Sequence, residues 1–157
     1  MASTALNVVL KTANGAHVGL YRMTGGKFAN RIAGMPILLI TTYGRKSGKP
    51  RTHPVVYLRD GQDFVVSASA GGMDWHPAWY FNLKSRPEAR IQVGDRTFAV
   101  KATILEGAER DRMYDKFKAA SSNFVKYEKG THRVIPVIRL TPAKPHSDAS
   151  SLSSVIG

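Results

Sequence analysis

The chain has 157 residues, 43% of them hydrophobic and 22% charged, and 23 Lys+Arg against 11 Asp+Glu set its formal net charge at +12. This length and composition fit one globular domain with a core of its own and exclude a chain that is disordered throughout. Cysteine is absent, which excludes disulfides, thiolate nucleophiles and Cys-ligated metal sites; the longest run without a polar side chain, Ile32 to Ile40, is far shorter than the roughly 20 residues of a membrane-spanning helix.

The opening Met1-Ala2-Ser3-Thr4 lacks the basic n-region of a secretory signal, so a cytoplasmic protein is expected. Leu6, Val9, Leu10, Ala13, His17, Leu20 and Tyr21 then recur near helical spacing, with Gly15 and Gly19 weakening the pattern, and a marginal amphipathic helix is expected over residues 5–23. Thr24-Gly25-Gly26 ends it. Pro36 to Tyr43 reads as a buried strand. Two hairpins follow the same logic: Val55–Arg59 meets Asp63–Ser67 across Asp60-Gly61, and Ala89–Val93 meets Arg96–Val100 across Gly94-Asp95. In the later strand Phe98, Val100, Ala102 and Ile104 alternate with Thr97, Ala99, Lys101 and Thr103, giving one core face. Between the hairpins, Asp74 is expected to cap a helix with Pro77 in its first turn and Trp75, Ala78, Trp79 and Leu83 on one stripe. A second helix is expected from about Glu106 to Ala120, acids early and lysines late, with Met113, Tyr114 and Phe117 inward. A last strand spans Val134 to Leu140, where Pro136 favours an edge or a bulge. The Ser- and Pro-rich stretch 142–157 reads as a disordered tail.

About six antiparallel strands with inserted helices define an α+β fold, a small closed or half-closed barrel. The expected organisation is an N-terminal helix or lid segment over 1–34, a barrel over 35–141 and the tail.

Charge is spread unevenly. Nine basic residues and no acid precede Asp60, whereas the rest of the chain holds 14 basic and 11 acidic residues, so an anionic partner is expected to meet the N-terminal part of the fold. The densest signal is Gly44-Arg45-Lys46-Ser47-Gly48-Lys49-Pro50-Arg51. Four cations and two glycines between two strands make a turn suited to phosphate or carboxylate; a strand rather than a helix follows, so it is not a nucleotide-hydrolysing P-loop. A second cluster, Ser67 to Asp74, runs from a strand end through two glycines toward a helix, a junction that lets a ligand approach the backbone. The aromatic run Trp75, Trp79, Tyr80, Phe81 either packs or lines a planar ligand; packing is favoured for Trp75 and both readings stay open for Trp79 and Tyr80. The five histidines show no metal-ligand spacing, so no metal site is expected.

Ile40 to Arg51, then Ser69-Ala70-Gly71-Gly72 followed by His76 to Leu83, and finally Arg133-Val134-Ile135-Pro136-Val137 together resemble the deazaflavin (coenzyme F420)-dependent nitroreductase and quinone reductase family of actinobacteria. The resemblance covers roughly residues 35–141, with three motifs in register. It implies a split β-barrel, related to FMN-binding barrels, that holds a deazaflavin with an anionic phosphate and oligoglutamate tail. It further implies that Arg45, Lys46, Ser47 and Arg51 hold the phosphate and tail. By the same resemblance Thr52, His53, Pro54, Val55 and Val56, with Ser67, Ala68, Ser69 and Ala70 and with Ala78, Trp79, Tyr80, Phe81 and Asn82, border the ring and its ribityl chain. Phe124 and Tyr127 fall where the family places aromatics over the ring. Ala70 stands where relatives often have Lys, and Phe124 where the best-known nitroreductases have Tyr.

The expected reaction is hydride transfer from the reduced deazaflavin to a small electron-poor acceptor such as a quinone, enone or nitroaromatic, with Ser69 or Tyr127 donating a hydrogen bond or proton to it. Two other readings stand beside it: an FMN-binding oxidoreductase on the same barrel and, more distantly, a nucleic-acid-binding barrel, against which no strand carries evenly spaced exposed aromatics. The basic, weakly amphipathic N-terminal segment suits a lid over the acceptor slot or a peripheral contact with anionic lipid.

Overall fold

A computed structural model describes residues 15–27, 30–32 and 34–143. The expectations for residues 1–14 and for the tail beyond Ala143 lie outside the described residues. Helix α1, described over residues 15–23, is followed by strands β1 (Arg31–Ile32), β2 (Met35–Tyr43), β3 (Pro50–Asp60) and β4 (Asp63–Ser67). After a short 3-10 turn at Ala70–Gly72 come α2 (Ala78–Ser85), β5 (Glu88–Val93), β6 (Arg96–Ile104), α3 (Gly107–Ala120), α4 (Asn123–Lys129) and β7 (Val137–Pro142).

The strands pair in the order β1-β2-β3-β4-β7-β6-β5, and β5 pairs back onto β2. Six antiparallel strands therefore close into a barrel, with β1 added as a short outer hairpin on β2. Closure removes the free edges that an open sheet must protect. The α+β barrel read from the sequence is the fold observed.

Strand β2 shows why an unbroken apolar run forms a strand here. Leu38 and Ile40 point into the barrel with Val55, Phe64, Val66, Ile91, Val100, Ile138 and Leu140. Ile37 and Leu39 point outward but are covered by Val18 and Tyr21 of α1, so both faces are apolar. Tyr21 pins the helix: its ring is buried, and its hydroxyl accepts from the Gly94 N–H at 2.7 Å. Gly26 comes so close behind it that a Cβ there would lie 2.5 Å from Gly94 Cα. Helix α2 plugs one end of the barrel with Trp79, Tyr80 and Leu83. Helices α3 and α4 cover the outer side of β4 and β7 through Met113, Tyr114, Phe117 and Phe124.

Several local expectations are corrected. The first hairpin turns at Gly61-Gln62, one residue later than expected, because Asp60 and Asp63 are themselves a register pair. Two carboxylates directly opposite repel, and Arg139 offsets this by donating to both, at 2.8 and 3.2 Å, and to Glu109 at 3.0 Å. It holds the Asp60 carboxyl below its usual range. The last strand starts at Val137, not Val134: Pro136 has no N–H for the ladder, though its carbonyl accepts from Ala68 N–H at 2.9 Å. Asp74 does not cap α2, whose first flanking residue is Pro77; its carboxylate accepts from the Thr131 hydroxyl at 2.9 Å. Trp75 is 58% exposed rather than packed, because the helix begins after it, while Trp79 and Tyr80 are buried. Helix α4 was not expected.

Candidate functional site

The β2–β3 turn is built to expose cations. Tyr43 and Pro50 form the last register pair; Gly44 N–H then donates to Lys49 O at 2.9 Å and Gly48 N–H to Gly44 O at 2.8 Å. Gly48 has φ of 69°, which glycine takes without strain, and a Cβ on Gly44 would meet Ser47 Oγ at 2.7 Å. This tight loop leaves Arg45, Lys46, Lys49 and Arg51 on the surface. The Arg45 guanidinium lies 5.0 Å over the Phe81 ring of α2, a cation–π contact that orients it. None of these four cations takes part in the ion pairs of the described residues, which all involve Arg110, Lys118 or Arg139.

Arg45, Lys46, Ser47 and Arg51 line a cleft of ≈ 740 Å³ together with Thr52, His53, Ala78 and Asn82, and Gly15 of α1 closes one side. Asn82 Nδ2 donates to the buried Thr42 hydroxyl at 3.1 Å, which fixes α2 to β2 beneath the cleft. Burial, and then the Arg51 charge, push His53 below the usual histidine value, so the wall presents a neutral imidazole at pH 7.

Beside this cleft lies a narrower slot of ≈ 220 Å³. Pro54, Val55 and Val56 of β3 form one wall, Trp79 another, Ser67, Ser69, Ala70 and Gly71 a third, and Phe124 and Tyr127 of α4 the fourth. The slot is mostly apolar. Ser67 Oγ is buried with no hydrogen-bond partner among the described residues. A buried hydroxyl without a partner costs free energy, and Ser67 belongs to the slot lining.

The third wall is held in an unusual shape. Ala70, Gly71 and Gly72 have φ of 47°, 62° and 84°, the left-handed region that costs a residue with a Cβ about 1 kcal/mol or more. Gly72 is packed against α4 so closely that a Cβ would lie 3.0 Å from Tyr127 Cδ1. Arg133 secures the loop from outside: its Nε donates to Met73 O at 2.8 Å, Nη1 to Ala68 O at 3.1 Å and Nη2 to Ser69 O at 2.8 Å. Nη1 is also 2.9 Å from His76 Nδ1. Arginine has only donors, so Nδ1 accepts and the His76 proton resides on Nε2. Burial, then Arg133 and Lys84, hold His76 below the usual value.

Seventeen of the twenty residues expected at the site thus line one of two adjoining clefts. The other three do not: Ala68 is enclosed in the core, Tyr80 is buried with its ring 4.8 Å from that of His76, and Phe81 lies under Arg45. Arg133 and His76 had no assigned role in the sequence, although both fall inside quoted motifs.

The site is thus a closed antiparallel barrel that carries a cationic cleft without acids and, beside it, a mostly apolar slot. The chain belongs to the F420H(2)-dependent quinone reductase family, whose model matches residues 14–142. It is 38% identical over 129 residues, 80% of this chain and 87% of the relative, to an F420H(2)-dependent quinone reductase of Mycobacterium tuberculosis. Among solved structures it resembles the F420-H2 dependent reductase FDR-A at 38% identity and a TM-score of 0.62, covering 67% of this chain and 93% of that one. It also resembles a chain described as a domain-swapped dimer at 31% identity and a TM-score of 0.64, covering 87% of this chain and 98% of that one. Coenzyme F420 is therefore the cofactor, ahead of FMN, and the protein is an F420-dependent oxidoreductase.

Proposed function

We propose that the cationic cleft holds the phosphate and the first glutamates of coenzyme F420 on Arg45, Lys46 and Arg51, that the ring enters the slot between Val55, Trp79 and the 67–71 wall, and that a quinone stacks on the side of Phe124 and Tyr127. The observation that carries this reading is adjacency. The lining passes from cleft to slot at the chain neighbours His53 and Pro54 on β3 and Ala78 and Trp79 on α2, a proximity that suits one molecule with an anionic tail and a flat head. The unpartnered Ser67 hydroxyl and the lack of acids along the cleft fit such a ligand.

Bound reduced coenzyme F420 supplies a hydride at its deazaflavin ring. The chain contributes position and dryness: the apolar walls exclude water, and the clamped 69–72 loop fixes the distance between ring and acceptor. When the acceptor takes up hydride, negative charge develops on an oxygen, and the Ser69 and Tyr127 hydroxyls at the slot wall donate hydrogen bonds to it. Quinones, which need stacking and alignment above all, suit this slot better than bulky nitroimidazoles.

Quenching of Trp79 fluorescence on titration with coenzyme F420 and with FMN tests the reading. Affinity for coenzyme F420 is expected to be the higher and to fall with salt. Arg51→Ala is expected to weaken it about tenfold, the effect of about 1.4 kcal/mol. An affinity unchanged by both salt and Arg51→Ala would refute the placement.

Among the described residues no helix is long and apolar enough to cross a membrane. The outer side of α1 exposes Leu20 and Met23, at 48% and 86%, beside Arg22, a combination suited to peripheral contact with anionic lipid, where lipid-soluble quinones reside. Co-sedimentation with anionic vesicles should fall in Met23→Glu; equal sedimentation of both proteins would remove this contact.

A further inference from the structure

Helix α4 carries Phe124 and Tyr127, one wall of the slot, but at seven residues it is too short to be stable by itself in water. Ser122, which precedes it, makes no side-chain capping bond among the described residues. The seat of the helix is therefore set by the elements around it. Its C-terminal end is tied from the loop side: Tyr127 packs closely on Gly72, and just beyond the helix the Thr131 hydroxyl donates to the Asp74 carboxylate at 2.9 Å. Its N-terminal end is tied from α3. There the buried Tyr114 hydroxyl donates to Phe124 O at 2.7 Å, and the two rings meet edge-on with centroids 6.2 Å apart.

Tyr114 is itself held in place. The Arg110 guanidinium lies 4.6 Å over its ring and donates from Nε and Nη2 to Ile135 O, at 3.1 and 2.7 Å. Ile135 is buried in the same apolar cluster as Tyr114 and Phe124. Burial, and then the Glu128 charge, push the Tyr114 pKa up to about 12, so the phenol keeps its proton and remains a donor at neutral pH. A second link between the helices, Lys118 Nζ to Glu128 Oε1 at 3.2 Å, lies at the surface, where an ion pair contributes little. The one buried polar tie printed between α3 and the slot wall thus runs from the segment before β7, through Arg110 and Tyr114, to the main chain of Phe124.

We infer that Tyr114 is a positioning residue for hydride transfer, its hydroxyl setting the seat of α4 and thereby the face that Phe124 and Tyr127 present to the acceptor. This rests on the reading that a quinone stacks on that side of the slot. Tyr114 lines neither cleft and acts through the Phe124 main chain. Without the hydroxyl the first turn of α4 is free to shift, and a displacement on the order of 1 Å in a reacting pair costs about a hundredfold in rate. The cationic turn, on other elements, is unaffected.

Tyr114→Phe keeps the ring and removes the tie. The KM for menadione is expected to rise about fivefold. The single-turnover transfer rate per bound reduced cofactor is expected to fall about tenfold, with faster hydrogen exchange at the amides of residues 123–127. The dissociation constant for coenzyme F420, from tryptophan quenching, should stay within twofold. A tyrosine that only stabilised the fold would lower the number of cofactor-binding sites and the turnover alike, and would leave the KM and the rate per bound cofactor unchanged. Lys118→Gln, which cuts the surface link between the same helices, should keep both within twofold. A KM and a single-turnover rate within twofold of wild type in Tyr114→Phe, or the same loss in Lys118→Gln, would overturn the inference. Tyr127→Ala separates it from the reading beneath it. If Tyr127→Ala raises the menadione KM and Tyr114→Phe does not, the acceptor placement stands and the inference falls; if Tyr127→Ala changes neither KM nor transfer rate, the placement falls and the inference with it.

Discussion

Replacing Arg133 by lysine perturbs the 69–73 wall of the slot while leaving the lining of both clefts unchanged. The guanidinium makes three hydrogen bonds to main-chain carbonyls, at 2.8 to 3.1 Å, and one to His76. An ammonium is a point donor and cannot span acceptors on Ala68, Ser69, Met73 and His76 at once. At least two charge-assisted bonds are lost. Each contributes about 1.5 to 3 kcal/mol when buried, and since Arg133 is only half-buried the lower end applies, about 3 kcal/mol for two. The loop carries its own reason to open, the positive φ of Ala70. The expected result is local opening of residues 69–73, raised about a hundredfold in population, with a smaller loss of global stability. Hydrogen exchange at these amides reads the opening. Single-turnover oxidation of the reduced cofactor by menadione reads its consequence, and the hydride-transfer rate is expected to fall tenfold or more, while cofactor affinity, which the proposed placement assigns to the cationic turn, stays within about threefold. If Arg133→Lys leaves both the exchange of 69–73 and the transfer rate within twofold of wild type, the clamp does not position the wall.

Two further outcomes are expected. Phe124, 2% exposed and at the slot wall, offers no hydroxyl to a nitro group; Phe124→Tyr should raise nitroimidazole turnover relative to quinone turnover by about tenfold or more, and nitroimidazole reduction by wild type as fast as that of quinone would show that this position does not set acceptor choice. His53 and His76 are both held below 6.5, so on acidification the unfolded chain takes up protons first. Their contribution to stability is complete above that pH and is lost as pH falls below it, so Tm should drop below about pH 6.5 and drop less in His53→Gln, as followed by circular dichroism.

Much of the barrel is legible because its strands carry their own patterns. The alternation of Phe98, Val100, Ala102 and Ile104 and the glycines at the hairpin turns are local signals, and they were read to within a residue or two. What escaped depends on partners far along the chain. Helix α4 is only seven residues of mixed polarity, Asn-Phe-Val-Lys-Tyr-Glu-Lys, and forms because Phe124 has a pocket under Tyr114 and Phe117. Asp74 has the chemistry of a cap but finds Thr131, 57 residues away. The clefts were legible in the same measure: the cationic turn is contiguous in sequence, whereas the Arg133 clamp joins carbonyls 60 to 65 residues upstream and leaves no local trace. Trp75 shows the limit of periodicity, since a stripe has meaning only within a helix that has already begun.

Strand β3 has a consequence for how such a protein can change. Arg51 and Val55 belong to the same strand and are four residues apart, about 13 Å of backbone. Seven consecutive register pairs lock that strand to β2, which is itself paired on its other side. The spacing between Arg51 in the cationic cleft and Val55 in the wall of the slot is therefore a fixed ruler that no loop insertion can lengthen. The far walls of the slot, where the proposed acceptor sits, are separate pieces, the 69–72 loop and the short helix α4. On the proposed placement, descendants of this barrel can exchange acceptors by rebuilding those pieces, while the distance they offer a cofactor from phosphate to ring stays the same.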